Sequence, residues 1–302
     1  MKIAVVGPGA MGCLFGALFG RAGHDVWLVD RSPERAALLA RQGLRLNEGE
    51  AATVIPIRAT ADAAGIGPQD LVILCVKAYD TAEALRRCLP LIGPQTAVLS
   101  LQNGLGNAEA IAAQVQPAQA AAGATAEGAI LLGPGEVAHT GTGVSQLAPL
   151  DPAQRWPAER GVSALESAGL QARLVMDAPA VIWSKLVLNA AVNPVTALWN
   201  VPNGGVPERP DLMELATAAA QEAAEVARRK GIALLYDDPV EELRRLCRRT
   251  QNNRSSMLQD VRQGRRTEID AINGAIVDEA NRLGLPVPVN AMLTARIRAL
   301  RP

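Results

Sequence analysis

The opening of the chain constrains its fold more than any other stretch. Lys2 to Val6 (KIAVV) is a short β-branched run that passes directly into Gly7-Pro8-Gly9-Ala10-Met11-Gly12 and then into an Ala/Leu-rich segment with helical spacing. A strand, a Gly-x-Gly-x-x-Gly turn and a helix, in that order, begin a βαβ unit. Gly7 permits the tight turn, Gly9 allows a pyrophosphate to approach the backbone, and Gly12 lets helix and strand pack closely. Pro8, Ala10 and Met11 share the turn. The first N–H groups of the helix and its positive dipole end then face the phosphates.

The alternation continues downstream. His24 to Asp30 (HDVWLVD) reads as a second strand, and Ser32-Pro33 opens a helix with Ser as N-cap and Pro in its first position. Leu71 to Val76 (LVILCV) and Thr96 to Leu101 (TAVLSL) are continuous apolar runs, the pattern of parallel strands covered on both faces. GPGEVAHTGTGVSQLAP, residues 133–149, reads as an antiparallel hairpin near the far edge of the same sheet. One further αβ unit over 158–176 closes the domain. From Ala178 onward strand signals vanish, and Ala, Leu, Glu and Arg recur with helical spacing. The expected fold is α/β: an N-terminal Rossmann-type, doubly wound sheet over 1–176, followed by an all-helical domain over 177–302.

Charge narrows the partners. The 302 residues hold 30 basic and 30 acidic side chains, a formal net charge of +0, and only 3% are aromatic. That balance suits neither nucleic acid nor an anionic membrane surface. The start, MKIAVVGPGAMG, does not read as a secretory signal, and no membrane-spanning run free of charge is evident. Cys13, Cys75, Cys88 and Cys247 form no CxxC pair, and His24 and His139 are too few for a metal site. A cytoplasmic protein without a metal is expected, acting on a small molecule. Oligomeric state is not legible, although the Ala-rich helical half leaves room for a homodimer.

Polar residues in apolar surroundings supply the candidate site. WSKLVLNAAVNPVTAL, residues 183–198, is an apolar helix that carries Lys185, Asn189 and Asn193. Four-residue steps advance a helix by roughly 40°, so the three side chains line one stripe. Lys77 and Gln102-Asn103-Gly104 follow successive buried strands, at the strand ends where doubly wound sheets bind ligands. Asp30 and Arg31, at the end of the second strand, disagree: an acid there accepts hydrogen bonds from a ribose 2′-OH and favours NAD, whereas Arg clamps a 2′-phosphate and favours NADP. Thr267 and Asp270 fit a capping-box variant, with Glu268 in the first turn of the helix that follows.

GPGAMG, CVKAYDT, LQNGLGN, LLGPGEVAHTGTG, WSKLVLNAAVNPVTAL, NVPNG, NRSSMLQDVRQGRRTEIDAINGAI and LGLPVPVN together make the chain resemble ketopantoate reductases (2-dehydropantoate 2-reductases) over nearly its whole length. The resemblance implies an active site in a cleft between the two domains. It casts Lys185 as general acid and places Glu268 near the hydroxyl being formed. It assigns Asn103, Asn189, Asn193, Asn203, Asn253 and Ser256 to the substrate and nicotinamide ends of the cleft. Gly7 to Gly12, Arg31, Lys77 and Asn103 match cofactor contacts. Asp30 departs from the neutral residue of NADP-binding members. NADP(H) is favoured through Arg31 and the resemblance, NAD(H) through Asp30, and on this reading Asp30→Ala raises NADPH affinity. Two other functions fit the same residues: an NADH-dependent D-2-hydroxyacid dehydrogenase for another branched or aromatic 2-keto acid, and a non-catalytic dinucleotide sensor.

Overall fold

The computed structural model describes residues 1–300, which form two compact units. The first begins with β1 (Lys2–Val6), α1 (Ala10–Arg21), β2 (Asp25–Val29) and α2 (Pro33–Gln42). Three short strands follow, β3 (Leu44–Glu48), β4 (Ala51–Ile55) and β5 (Arg58–Thr60), and then β6 (Leu71–Leu74), α3 (Thr81–Cys88), β7 (Ala97–Ser100) and α4 (Asn107–Ala112). The unit ends with β8 (Ala120–Ala124), β9 (Gly128–Gly133), β10 (Glu136–Gly141), β11 (Ser145–Pro149), α5 (Trp156–Ser167) and β12 (Ala172–Leu174).

The main sheet has the order β12-β11-β8-β7-β6-β1-β2-β5. From β5 to β8 every pairing is parallel. Counted by appearance in this sheet, those strands run third, second, first, fourth, fifth, sixth, the order of dinucleotide-binding sheets. Alternation along each strand explains why both faces are apolar. Ile3, Val5, Leu71, Ile73 and Leu99 join Phe15 and Phe19 of α1 and Ala164 and Leu165 of α5 in one core. Ala4, Val6, Val72, Leu74 and Val98 turn the other way and join Leu85 of α3 and Ile111 of α4.

The 133–149 segment departs from expectation. β9 and β10 do form an antiparallel hairpin, but it lies in a separate four-stranded sheet, β4-β3-β10-β9. Only β11 reaches the main sheet, antiparallel to β8. β3 (LRLNE) and β5 (RAT) are interrupted by polar and charged residues, and β4 (AATVI) is exposed at every position but Ile55, so none shows the continuous buried run that marks β6 and β7.

The second unit comprises Asn103–Leu105 and the chain from Pro179 onward. It contains α6 (Ala178–Trp199), the single-turn α7 (Gly205–Glu208), α8 (Pro210–Arg229), α9 (Pro239–Arg249), α10 (Ser256–Arg262), α11 (Ala275–Leu283) and α12 (Pro288–Ala299). A π-helical turn, Asp270–Gly274, runs directly into α11. No strand lies in this unit among the described residues. By length and composition α6 could cross a membrane, yet 72% of its apolar window is buried within the protein. Its Leu186, Val187, Ala190 and Val195 pack with Ala216, Ala220 and Ala223 of α8 and with Ile272 and Ile276, so it is the core helix of this unit.

Close packing of α5 on the main sheet depends on a missing side chain. A Cβ at Gly161 would stand 2.6 Å from Leu147 Cδ2 and 3.0 Å from Leu99 Cδ2. Gly161→Ala is expected to destabilise the first unit by about 1–3 kcal/mol through overpacking. Chemical denaturation measures this, and an unchanged midpoint would contradict the packing described.

Candidate active site

The Gly-rich turn is shaped from both sides. Gly7 has φ +89°, and a Cβ on it would lie 2.5 Å from Val76 Cγ1 and 2.9 Å from the Val76 nitrogen. A Cβ on Gly12 would collide with the Gly7 carbonyl, so the first turn of α1 can close on the loop only with glycine there. Nothing comes within 4 Å of a Cβ placed on Gly9, which leaves that face of the turn open. Gly9 caps α1 without any side-chain hydrogen bond, and the first turn carries no acid. Free helix N–H groups, an uncrowded glycine and no competing carboxylate fit a pyrophosphate. Ala10 and Met11 stay half-buried in that turn. Pro8 is buried, and its carbonyl accepts the Cys13 thiol at 3.3 Å. Burial pushes the Cys13 and Cys75 thiols up to about 12, which keeps them as inert packing groups.

At the end of β2 the two charges separate. Asp30, read from sequence as a ribose-facing acid, is turned inward with its side chain fully buried. It accepts the Ser32 N–H at 3.0 Å and an ion-paired hydrogen bond from Arg35 Nε. Arg31 stays 76% exposed, 3.6 Å from Asp80 in the 3-10 turn that follows Lys77. Ser32 caps α2 as expected, accepting the Arg35 N–H at 3.1 Å. Arg35 is not recognisable as a site residue from sequence. Its only signal is a basic side chain in the first turn of α2, five residues after a strand-end acid.

Lys77 is half-buried beyond β6, and its carbonyl accepts the Asp80 N–H at 2.8 Å. Gln102, after β7, joins the two strand ends by donating to the Val76 carbonyl at 2.8 Å and to Thr81 Oγ1 at 2.7 Å. Asn103, the next residue, belongs with the second unit. Gly104 (φ +84°) leaves no room for a Cβ beside the Ala271 carbonyl, 2.6 Å away, and Leu105 N–H donates to that carbonyl at 2.8 Å. The short 103–105 segment is thereby pinned to the π-turn.

This pinning brings Asn103 to the α6 stripe. Asn189 Nδ2 donates to Asn103 Oδ1 at 3.4 Å, one helical turn from Lys185. Lys185 and Asn189 are half-buried and Asn193 is buried. Burial pushes the Lys185 amine down to about 8, against the opposite pull of the Glu268 carboxylate. Glu268 is itself buried, at the start of the π-turn, and its carbonyl accepts the N–H groups of Ala271 and Ile272. Thr267 Oγ1 accepts the Ile269 N–H at 3.4 Å, a weak cap. The Asp270 carboxylate, expected to complete a capping box, takes Arg298 Nε at 2.7 Å and lies 3.6 Å from Arg266.

The other residues expected at the site divide. Asn203 is buried, donates its side-chain amide to Thr250 Oγ1 at 2.9 Å and its backbone N–H to the Asn253 carbonyl at 2.9 Å, so these two hold the α7 turn to the loop before α10. Ser256 is the half-buried first residue of α10, whereas its neighbour Ser255 is the cap, accepting from Leu258 N–H and from Thr196 Oγ1. Lys185, Asn189, Asn103 and Glu268 are thus linked by contact or charge, and Asn203 and Asn253 form a second group. His139 lies in the first unit, hydrogen-bonded to Glu127 at 2.6 Å.

A parallel sheet in this strand order, with an open Gly-rich turn at β1, defines a nicotinamide- or flavin-type dinucleotide-binding protein with a helical second unit. The chain belongs to the ketopantoate reductase family. Residues 3–152 match the family described as Ketopantoate reductase PanE/ApbA, and residues 177–301 match its C-terminal counterpart. A 2-dehydropantoate 2-reductase of Archaeoglobus fulgidus is 36% identical across 99% of this chain and 97% of its own. The crystal structure of a PanE/ApbA family ketopantoate reductase from Ralstonia eutropha JMP134 aligns with TM-score 0.88 and 32% identity, covering 99% and 98% of the two chains. A ternary structure of D-mandelate dehydrogenase with NADH and anilino(oxo)acetate aligns with TM-score 0.93 and 28% identity over the same shares.

An amine lowered to about 8 has a signature in stability. Below that pH the folded protein bears the full cost of the charged form. The cost fades as pH rises toward the free-lysine value of about 10.4, because the unfolded chain binds the extra proton in that window. Lys185→Met is therefore expected to melt at a higher temperature than the parent at pH 7, with the difference shrinking toward pH 10. Thermal unfolding across that range measures it, and a lower melting temperature at pH 7 would contradict the electrostatics described.

Proposed function

We propose that this chain reduces 2-dehydropantoate to pantoate in the cytoplasm, as a step of pantothenate biosynthesis. Residues 1–176 act as the dinucleotide domain and 177–302 as the substrate and catalytic domain. The observation that carries the reading is a half-buried ammonium at Lys185, on a stripe with Asn189 and Asn193, next to Asn103 and under the field of Glu268.

A bound reduced nicotinamide supplies hydride to the C2 carbonyl carbon. Negative charge then grows on the carbonyl oxygen, and the Lys185 ammonium stabilises it electrostatically before donating its proton there. An amine near 8 is a stronger acid than free lysine and still largely protonated at neutral pH. Glu268 holds the ammonium's charge and accepts a hydrogen bond from the substrate or product hydroxyl. Asn103, Asn189 and Asn193 offer amide groups to the substrate's oxygens, with Asn203, Asn253 and Ser256 at the far end of the pocket.

NADP(H) is the preferred cofactor on this reading. Asp30 is buried against Arg35 and the Ser32 N–H, so the acid that would favour a ribose hydroxyl is not presented. Arg31 and Arg35 remain as exposed guanidinium groups on either side of it, and Lys77 follows the adjacent strand. Asp30→Ala is expected to tighten NADPH binding by removing a like charge from beside the 2′-phosphate and freeing the Arg35 guanidinium, and Arg31→Ala to weaken it. Titration of both cofactors with each variant measures this. Unchanged NADPH affinity in both variants would remove these two residues from the cofactor assignment.

The reaction itself is tested with 2-dehydropantoate and a panel of other 2-keto acids, phenylglyoxylate included, each with NADPH and NADH. Lys185→Ala should lower kcat by roughly two to four powers of ten, as a lost general acid does, and leave cofactor affinity nearly intact. In the parent the alkaline limb of kcat/KM should fall near pH 8, reporting the free enzyme's acid. Near-normal turnover by Lys185→Ala would remove the mechanism. Preference for phenylglyoxylate with NADH would move the substrate assignment.

A further inference from the structure

We propose that Asn273 is a positioning residue for the reduction: its side-chain amide caps the one α6 carbonyl that Pro194 leaves without a helical partner, and so ties the segment bearing Glu268 to the helix bearing Lys185. This rests on the roles given above to those two residues.

A proline inside a helix has no N–H for the carbonyl four residues earlier. Pro194 lies within α6, and that carbonyl belongs to Ala190. Ala190 is fully buried, so water is not at hand to replace the missing donor. Asn273 Nδ2 donates to the Ala190 oxygen at 2.9 Å. The same nitrogen donates to Asn290 Oδ1 at 2.9 Å. Both partners are acceptors, because Asn290 directs its own amide nitrogen to the Ala219 carbonyl and to Glu222. The orientation of the Asn273 amide is dictated by these surroundings.

Asn273 reaches α6 from the π-turn. Gly274 N–H donates to the Ile269 carbonyl, five residues back, so residues five apart are brought toward one face of the turn. Glu268 and Asn273 are separated by that interval. The carboxylate is therefore anchored to α6 through the amide, within about a turn and a half of Lys185 along the helix. Glu222 secures the other end, accepting the N–H groups of Val289 and Asn290 at 2.9 Å each, the first turn of α12.

The experiment uses Asn273→Ala, Pro194→Ala and the double variant, each in the full chain. Asn273→Ala should lower the melting temperature, because the Ala190 carbonyl is orphaned, and lower kcat by up to about a hundredfold, the scale of a misplaced catalytic group. Cofactor affinity should not change. Loss of Glu268's support should also move the alkaline limb of kcat/KM to lower pH. The same shift should be read on the apoprotein from the pH dependence of Lys185 labelling by an amine reagent. Adding Pro194→Ala supplies an N–H to the Ala190 carbonyl within α6. The double variant should recover melting temperature while kcat and the labelling profile stay perturbed. Recovery of kcat along with stability would overturn the proposal, since Asn273 would then only satisfy a buried carbonyl. An unchanged labelling profile in folded Asn273→Ala would overturn it too. If Lys185→Ala is fully active, the functional reading fails; if it is inactive while Asn273→Ala works normally, only this inference fails.

Discussion

The second unit is organised around an ammonium in apolar company. α6 is the core helix of that unit, and a lysine on it pays in desolvation for every neighbour that packs beside it. That desolvation brings the amine down to about 8, and a single buried carboxylate, Glu268, offsets part of the cost by pulling the other way. The surrounding structure keeps that carboxylate in place. The Asp260–Arg265 pair anchors the loop before Glu268, Arg298 holds Asp270 after it, and the π-turn is fastened to α6 and to the Asn103 segment. A lysine more acidic than the free side chain thus comes from ordinary side chains in an environment that makes charge unfavourable.

The first unit meets a different demand with backbone alone. Its Gly-rich turn sits where strand order reverses, between β1 and β6, and the close approach of Gly7 to Val76 follows from that crossing. The turn offers N–H groups and open space but no charged side chain. The neighbouring strand end carries the charges, Arg31 near Asp80 and the buried Asp30 paired with Arg35. The Asp30–Arg35 arrangement shows a strand-end acid engaged by its own neighbours, with one oxygen accepting the Ser32 N–H and the other Arg35 Nε.

Much of this protein is written in short stretches of its sequence. The βαβ rhythm, the Gly-rich turn, the buried strands β6 and β7, the loss of strand signal near Ala178 and the Lys185–Asn189–Asn193 stripe all arise from local periodicity or turn chemistry, which a short window of residues carries. The tertiary structure decided the rest. It sent β9 and β10 to a second sheet because β3, some ninety residues earlier, offers them an edge. It turned Asp30 inward, gave Asn103 to the second unit, and matched Asn273 to a carbonyl that Pro194 had stripped of its donor. Each of these depends on which distant group finds a buried donor, acceptor or charge first, and that competition is settled only when the chain has closed on itself.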